Sequence, residues 1–230
     1  MKTRELKQRA YEANMELPKR GLVLYTFGNA SAVDRDLGLV AIKPSGVSYE
    51  SLKWEEMVVV DMNGGVVDSR LVPSSDTKTH LVLYDNFTEI GGIIHTHSPY
   101  ATAWAQAVKP IPIFGTTHAD HLNADVPCTE IISDEAIAGD YEFETGNQIL
   151  SVFTRLSYRE VEMVLVAGHG PFTWGKDASR AVYNSVVLEE LAKMAFLTLQ
   201  ADPSAKRLKQ TLIDKHFQRK HGKNAYYGQK

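Results

Sequence analysis

The sequence predicts an α/β layered domain, and three observations carry that reading. Short runs of β-formers occupy the middle of the chain, at 39–42, 57–61, 91–95 and 163–167. Apolar residues at helical spacing occupy both ends and the stretches between those runs. At 230 residues the chain has the length of one domain with a substantial core, spanning 1–230.

The elements follow in order. Leu6, Ala10, Ala13 and Leu17 share one face of a helix over 3–17, which Pro18 to Gly21 stops. Leu22 to Phe27 is rich in β-formers and is expected as a strand. A second strand, Leu39 to Ile42, ends in Lys43-Pro44-Ser45-Gly46. Met57 to Asp61 and Val66-Val67 flank Asn63-Gly64-Gly65, a hairpin signal. Ser74-Ser75-Asp76 caps a helix running to about Phe87. A strand over 91–95 and a helix over about 99–107 come next. Pro110, Pro112 and Pro127 mark a loop, and Ser133 opens irregular helical material towards Leu156. Met163 to Ala167 reads as a short buried strand ending in Gly168-His169-Gly170. Asp177 caps a long helix to about Leu199, and 203–220 forms a last, strongly charged one.

Composition narrows the partners. A net charge of −3 offers no surface for nucleic acid. The single Cys128, expected as a buried and inert thiol, excludes an internal disulfide and suits a reducing compartment. The first nine residues carry no apolar leader, and no run approaches the roughly 20 apolar residues of a membrane span. A soluble, cytoplasmic protein is expected.

His95-Thr96-His97 carries the strongest chemical signal. Side chains alternate along a strand, so the two imidazoles point to one face. Such a pair admits two readings, a packed strand end or a metal site, and His169 between two glycines favours the second. Three neutral imidazoles leave a cation open positions, as catalysis requires, and Asp76 is the candidate fourth ligand. His80 and His118 lie on no obviously rigid strand terminus. A second cluster is suited to an anion. Gly28-Asn29, Lys43 to Gly46 and Ser74-Ser75 are turns rich in small donors, and one lysine adds charge. Each alone is ordinary turn chemistry. A third cluster is suited to acid–base work: Asp120 lies in a loop after Thr116, two phenols near the C-terminus either pack or act, and His216 and Arg219 share a face of the last helix, where they either serve a neighbouring site or are plain surface residues.

Gly28-Asn29-Ala30-Ser31, Lys43 to Gly46, Pro73 to Thr77, Gly92 to His97, Gly115 to Asp120, Gly168 to Phe172, and Lys220 to Gly222 with Ala225 to Gln229 occur in this order along the chain. Together they resemble the L-ribulose-5-phosphate 4-epimerase family of the class II aldolase and epimerase superfamily. The resemblance covers essentially the whole chain. It implies a three-layer fold with a central, mainly antiparallel sheet, and a C-terminal helix and tail (about 203–230) that complete the site. It implies one divalent cation per subunit, zinc first with manganese or cobalt as alternatives, on His95, His97 and His169 with Asp76 as fourth ligand. Substrate phosphate would lie among Gly28, Asn29, Lys43, Ser45, Gly46, Ser74 and Ser75. Thr116, Glu142, His216 and Arg219 would join the substrate site, with Asp120 and Tyr227 as the acid–base pair. The Tyr would come from a neighbouring subunit of a homotetramer. The implied reaction is retro-aldol cleavage of a sugar phosphate and recombination with inversion at C4, in arabinose or ascorbate catabolism. A fuculose- or rhamnulose-phosphate aldolase is the alternative, and a metal-free cytoskeletal binding module the third reading.

Overall fold

The computed structural model describes residues 2–223, 225 and 226. Its centre is a seven-stranded sheet built from β1 (Asn29–Asp34), β2 (Leu39–Ile42), β3 (Val58–Asp61), β4 (Val66–Asp68), β5 (Gly92–His95), β6 (Met163–Val166) and β7 (Gly170–Gly175). The strands lie in the order β4-β3-β2-β1-β5-β7-β6, and each neighbouring pair is antiparallel.

Alternation along the strands sorts the helices to two faces. Ala30, Ala32, Ala41, Val59 and Ile94 pack with Leu6, Ala10, Ala13 and Leu17 of α1 (Lys2–Lys19) and with Ala181 of α7 (Ala178–Ala201). Further along that face, Met163 and Leu165 meet Ala101 and Ala105 of α3 (Pro99–Gln106) and Leu188 of α7. On the other face Val40, Ile42, Val58, Val60, Phe172 and Trp174 pack with Leu83 and Tyr84 of α2 (Thr77–Asn86) and Ile149 of α6 (Tyr141–Val152). The result is the helix–sheet–helix layering that the sequence implies. Gly92 explains how closely the layers approach: a Cβ there would sit 2.3 Å from Ala178 Cα.

Several local expectations change. Leu22 to Phe27 is not a strand: Tyr25 has φ 53° and Gly28 φ 74°, so the chain turns before β1 begins at Asn29. The helical material after Ser133 splits at Gly139 into α5 (Asp134–Ala138) and α6. The last helix, α8 (Gln210–His221), starts well after Pro203. Asp120 follows a short helix, α4 (Thr116–Ala119), instead of lying in open loop. β7 has no counterpart in the sequence reading, because its Pro171 and terminal glycines argue against a strand. Cys128 is only half-buried, and burial still pushes its thiol up to about 11.

Candidate active site

Three strand ends bring the histidines together. His95 is the last residue of β5, His97 lies two beyond, and His169 sits in the turn from β6 to β7. Because β7 pairs with both β5 and β6, that turn arrives beside the end of β5. One ring nitrogen from each histidine lies within 4.8 Å of the other two. Nε2 of His95 and Nε2 of His97 stand 3.1 Å apart. Two nitrogens on one tetrahedral zinc at about 2.0–2.1 Å stand about 3.3 Å apart, so the spacing suits a shared ion. The Nδ1–H of His95 donates to the Pro171 carbonyl at 3.0 Å, which leaves the Nε2 lone pair for a ligand. The ring also stacks on Phe172, its cross-strand partner, at 4.2 Å. Nδ1 of His169 is buried without a hydrogen-bond partner. Burial pushes His95 down to about 3 and lowers His97 and His169 as well. All three imidazoles are therefore neutral at pH 7, the form that ligates. With His97 exposed and one nitrogen orphaned, the trio fits a divalent cation with an open face.

Asp76 lies beside this trio. It occupies the N-cap of α2, yet its side chain makes no capping bond. Its Oδ2 accepts from Asn29 Nδ2 at 2.6 Å, and the same amide reaches Ser74 Oγ at 3.1 Å. Burial raises the Asp76 carboxyl, but the rings of His95, His80 and His169 and the Asn29 bond outweigh it and hold the group low. Asp76 falls outside the set of mutually close ligand atoms, so the structure shows a three-histidine cluster with an aspartate neighbour, where the sequence reading expects four ligands.

The three donor-rich turns converge on one cleft of about 310 Å³. Gly28, Asn29, Lys43, Ser45, Gly46, Ser74, Ser75 and Asp76 line it, with Thr26 and Pro44. Backbone bonds from Ser45 N to Val72 O and from Ser74 N to Lys43 O hold the last two turns together. Gly28 is required where it stands, since a Cβ would lie 2.7 Å from the His95 carbonyl oxygen. Lys43 is buried, its ammonium 4.9 Å from the centre of the Tyr49 ring. Burial pushes it down to about 8, and no carboxylate among the described residues pairs with it. A buried cation, several hydroxyls and the start of α2 are groups whose chemistry suits an anion.

The remaining residues gather elsewhere. Asp120 closes α4 and accepts from His216 Nδ1 at 2.9 Å and from Arg219 Nε and Nη2 at 3.0 and 2.8 Å. Ile213 packs α8 onto Ala119, which sets this geometry. Burial raises the Asp120 carboxyl, but Arg219, His216 and Lys220 hold it below the usual range. Thr116 opens α4, and its carbonyl accepts from Asp120 N at 2.8 Å. Glu142 follows Tyr141, whose ring stands 6.4 Å from that of His169, and its carbonyl accepts from Thr79. Tyr227 lies outside the described residues.

Residues 8–196 match the family described as Class II Aldolase and Adducin N-terminal domain. The chain belongs to this class II aldolase family. Within it, the L-ribulose-5-phosphate 4-epimerase UlaF of Salmonella paratyphi B (strain ATCC BAA-1250 / SPB7) is 53% identical over 98% of this chain and 99% of that protein. The protein of the same name from Salmonella typhi is similar to the same extent. Among solved structures, an L-fuculose 1-phosphate aldolase matches with TM-score 0.75 and 27% identity, covering 92% of this chain and 94% of that one. The L-fuculose 1-phosphate aldolase from Glaciozyma antarctica PI12 shares the fold at TM-score 0.77 and 18% identity, over 96% and 84% of the two chains. The antiparallel sheet between helices is thus the class II aldolase fold.

Sequence reasoning missed three residues that stand at this candidate site. Tyr49 donates from its hydroxyl to the carbonyls of Gly28 and Phe27 at 2.9 and 3.2 Å, pinning the cleft loop. Phe27 leans on His97, and Tyr141 flanks His169. None stands in a motif, and only the fold brings them near. His80 is completely buried, with Nδ1 2.7 Å from Ser31 Oγ and that oxygen 2.8 Å from Tyr84 Oη.

Proposed function

We propose that this class II aldolase relative is an L-ribulose-5-phosphate 4-epimerase that converts L-ribulose 5-phosphate to D-xylulose 5-phosphate. The observation that carries the reading is the junction at Asn29. Its amide ties Asp76, beside the imidazole trio, to Ser74 in the phosphate cleft, so one substrate can span both. The 53% identity to proteins named for that reaction supports the substrate. The L-fuculose 1-phosphate aldolase, at 27%, favours the aldolase reading less strongly.

His95, His97 and His169 would hold the cation, zinc first, with Asp76 closing the set if the bound state draws it in. When bound, the cation supplies Lewis-acid stabilisation of the charge that develops as the C3–C4 bond breaks. Lys43, the serines and the α2 terminus anchor the phosphate, which fixes the C4–C5 half of the sugar. Asp120, held ionised by Arg219 and His216, is in the state that accepts the C4 hydroxyl proton. Inversion needs a second proton-handling group on the opposite face, the role proposed for Tyr227. Thr116, Glu142, His216 and Arg219 would join the substrate site. The site is assembled between subunits of a homotetramer, with Tyr227 coming from a neighbour. Under this reading 203–230 completes a neighbour's site, and the enzyme works in the cytoplasm in arabinose or ascorbate catabolism.

The test is conversion of L-ribulose 5-phosphate by the purified protein loaded in turn with zinc, manganese and cobalt. D-xylulose 5-phosphate as main product supports the proposal. Glycolaldehyde phosphate and dihydroxyacetone as main products overturn it in favour of an aldolase.

A further inference from the structure

A phenylalanine beside the imidazole trio is half-exposed, although nothing in the core requires it. Phe27 keeps 55% of its surface open to solvent. Its chain neighbours Thr26 and Gly28 both line the phosphate cleft, while its own ring stands 6.5 Å from that of His97, tilted by 42°. The ring therefore sits where the phosphate cleft meets the trio. Three features hold it there. Tyr25, at φ 53°, takes a backbone conformation that a bulky residue rarely adopts. Phe27 N closes a turn on Leu24 O at 2.9 Å. Tyr49 Oη donates to the carbonyls of both Phe27 and Gly28, and burial of that phenol leaves it a neutral donor. Gly28 packs the loop against the end of β5 so closely that a Cβ there would lie 2.7 Å from the His95 carbonyl oxygen. A loop pinned on both sides of Phe27 holds its ring at that junction.

We propose that Phe27 determines product specificity by retaining the cleaved aldehyde fragment. This rests on the epimerase reading above. In the cleavage, the C4 hydroxyl proton goes to the base and the C3–C4 electron pair goes to C3. Two fragments result, an enediolate of dihydroxyacetone and glycolaldehyde phosphate. Recombination re-forms C3–C4 on the other face of the aldehyde and returns the proton to the new hydroxyl oxygen. Release takes another course: C3 takes a proton, and dihydroxyacetone and glycolaldehyde phosphate leave, with no further reactant needed. Both courses begin from the same pair of fragments, so their ratio depends on how long the aldehyde stays. The phosphate is gripped in either case. An apolar wall over the junction excludes water from the aldehyde carbon and blocks its exit, which favours recombination.

Phe27→Ala, Phe27→Leu and Phe27→Tyr separate this role from a structural one. Each protein, loaded with the same cation as the parent, is assayed for D-xylulose 5-phosphate and for free glycolaldehyde phosphate, and its metal content is measured. Calorimetry adds the affinities for glycolaldehyde phosphate and for inorganic phosphate. Phe27→Ala is expected to release about tenfold more aldehyde per epimerisation and to bind glycolaldehyde phosphate about tenfold more weakly, the scale of one lost apolar contact. Its affinity for inorganic phosphate and its metal content should match the parent, Phe27→Leu should be intermediate, and Phe27→Tyr should resemble the parent. An unchanged ratio of released aldehyde to epimer in Phe27→Ala overturns the proposal. Loss of metal in parallel with activity also overturns it, since Phe27 would then serve His97 alone. A parent protein that makes no D-xylulose 5-phosphate sinks the epimerase reading itself, and this inference with it.

Discussion

Lys43 illustrates how one buried side chain acquires a pH signature. Burial brings it from an ordinary 10.5 to about 8, because the ammonium has exchanged water for the Tyr49 ring and has no anionic partner. Between those two values the unfolded chain binds the proton and the folded one does not, so stability should rise with pH across that window. Binding has the opposite sign. The cleft is cationic below about 8, and a phosphate monoester is fully charged above roughly pH 6. We therefore expect kcat/KM to fall as pH rises through about 8, and Lys43→Met to lose that limb of the profile. The same variant should lower kcat/KM about 10- to 100-fold, mainly through KM, as removal of one charge-assisted contact does. At the trio, His97→Ala should remove bound metal and activity together while leaving the fold intact, since His97 is exposed; metal analysis beside circular dichroism checks this.

At the scale of elements, close approach of backbones decides what is allowed. β5 reaches the start of α7 through Gly91 and Gly92, and a Cβ at Gly92 would lie 2.3 Å from Ala178 Cα. Backbone cannot swing aside as a side chain can. Gly92→Ala should cost on the order of 3 kcal/mol, measurable as a drop in the denaturation midpoint, and should loosen the trio at the other end of the strand. The histidines, the donor-rich turns and most helices were legible because each is a local pattern: strand alternation, small polar residues, apolar residues at helical spacing. β7 was not, because Pro171 and its glycines carry the wrong local preference, and pairing on both sides overrides it. Leu22 to Phe27 failed in the opposite way. Its residues favour a strand, but Tyr25 and Gly28 take up left-handed conformations that bend the loop onto the cleft. The sequence places Asp76 at a helix cap, and it stands at that position with its carboxylate turned to Asn29 instead.

For the whole molecule, the proposed site has two halves. One comprises the trio and the phosphate cleft, and the other comprises Asp120 with α8. If subunits share them, two inactive variants should complement each other. Asp120→Asn mixed and reassembled with His97→Ala, one lesion in each half, should regain part of the parent activity, up to about a quarter of sites on random pairing. Activity no higher than either variant alone would place both halves in one subunit. Local chemistry was what the sequence by itself determined: three imidazoles on short rigid segments, three anion-suited turns, and the layered class of fold. These follow from patterns only a few residues long. The tertiary structure alone decided which groups meet. It placed His169 beside β5 through the β7 pairing, brought Asn29 between Asp76 and Ser74, lowered Lys43 by burying it, and set Phe27 at the mouth of the trio. Each of these depends on contacts between residues far apart along the chain, which packing alone can establish.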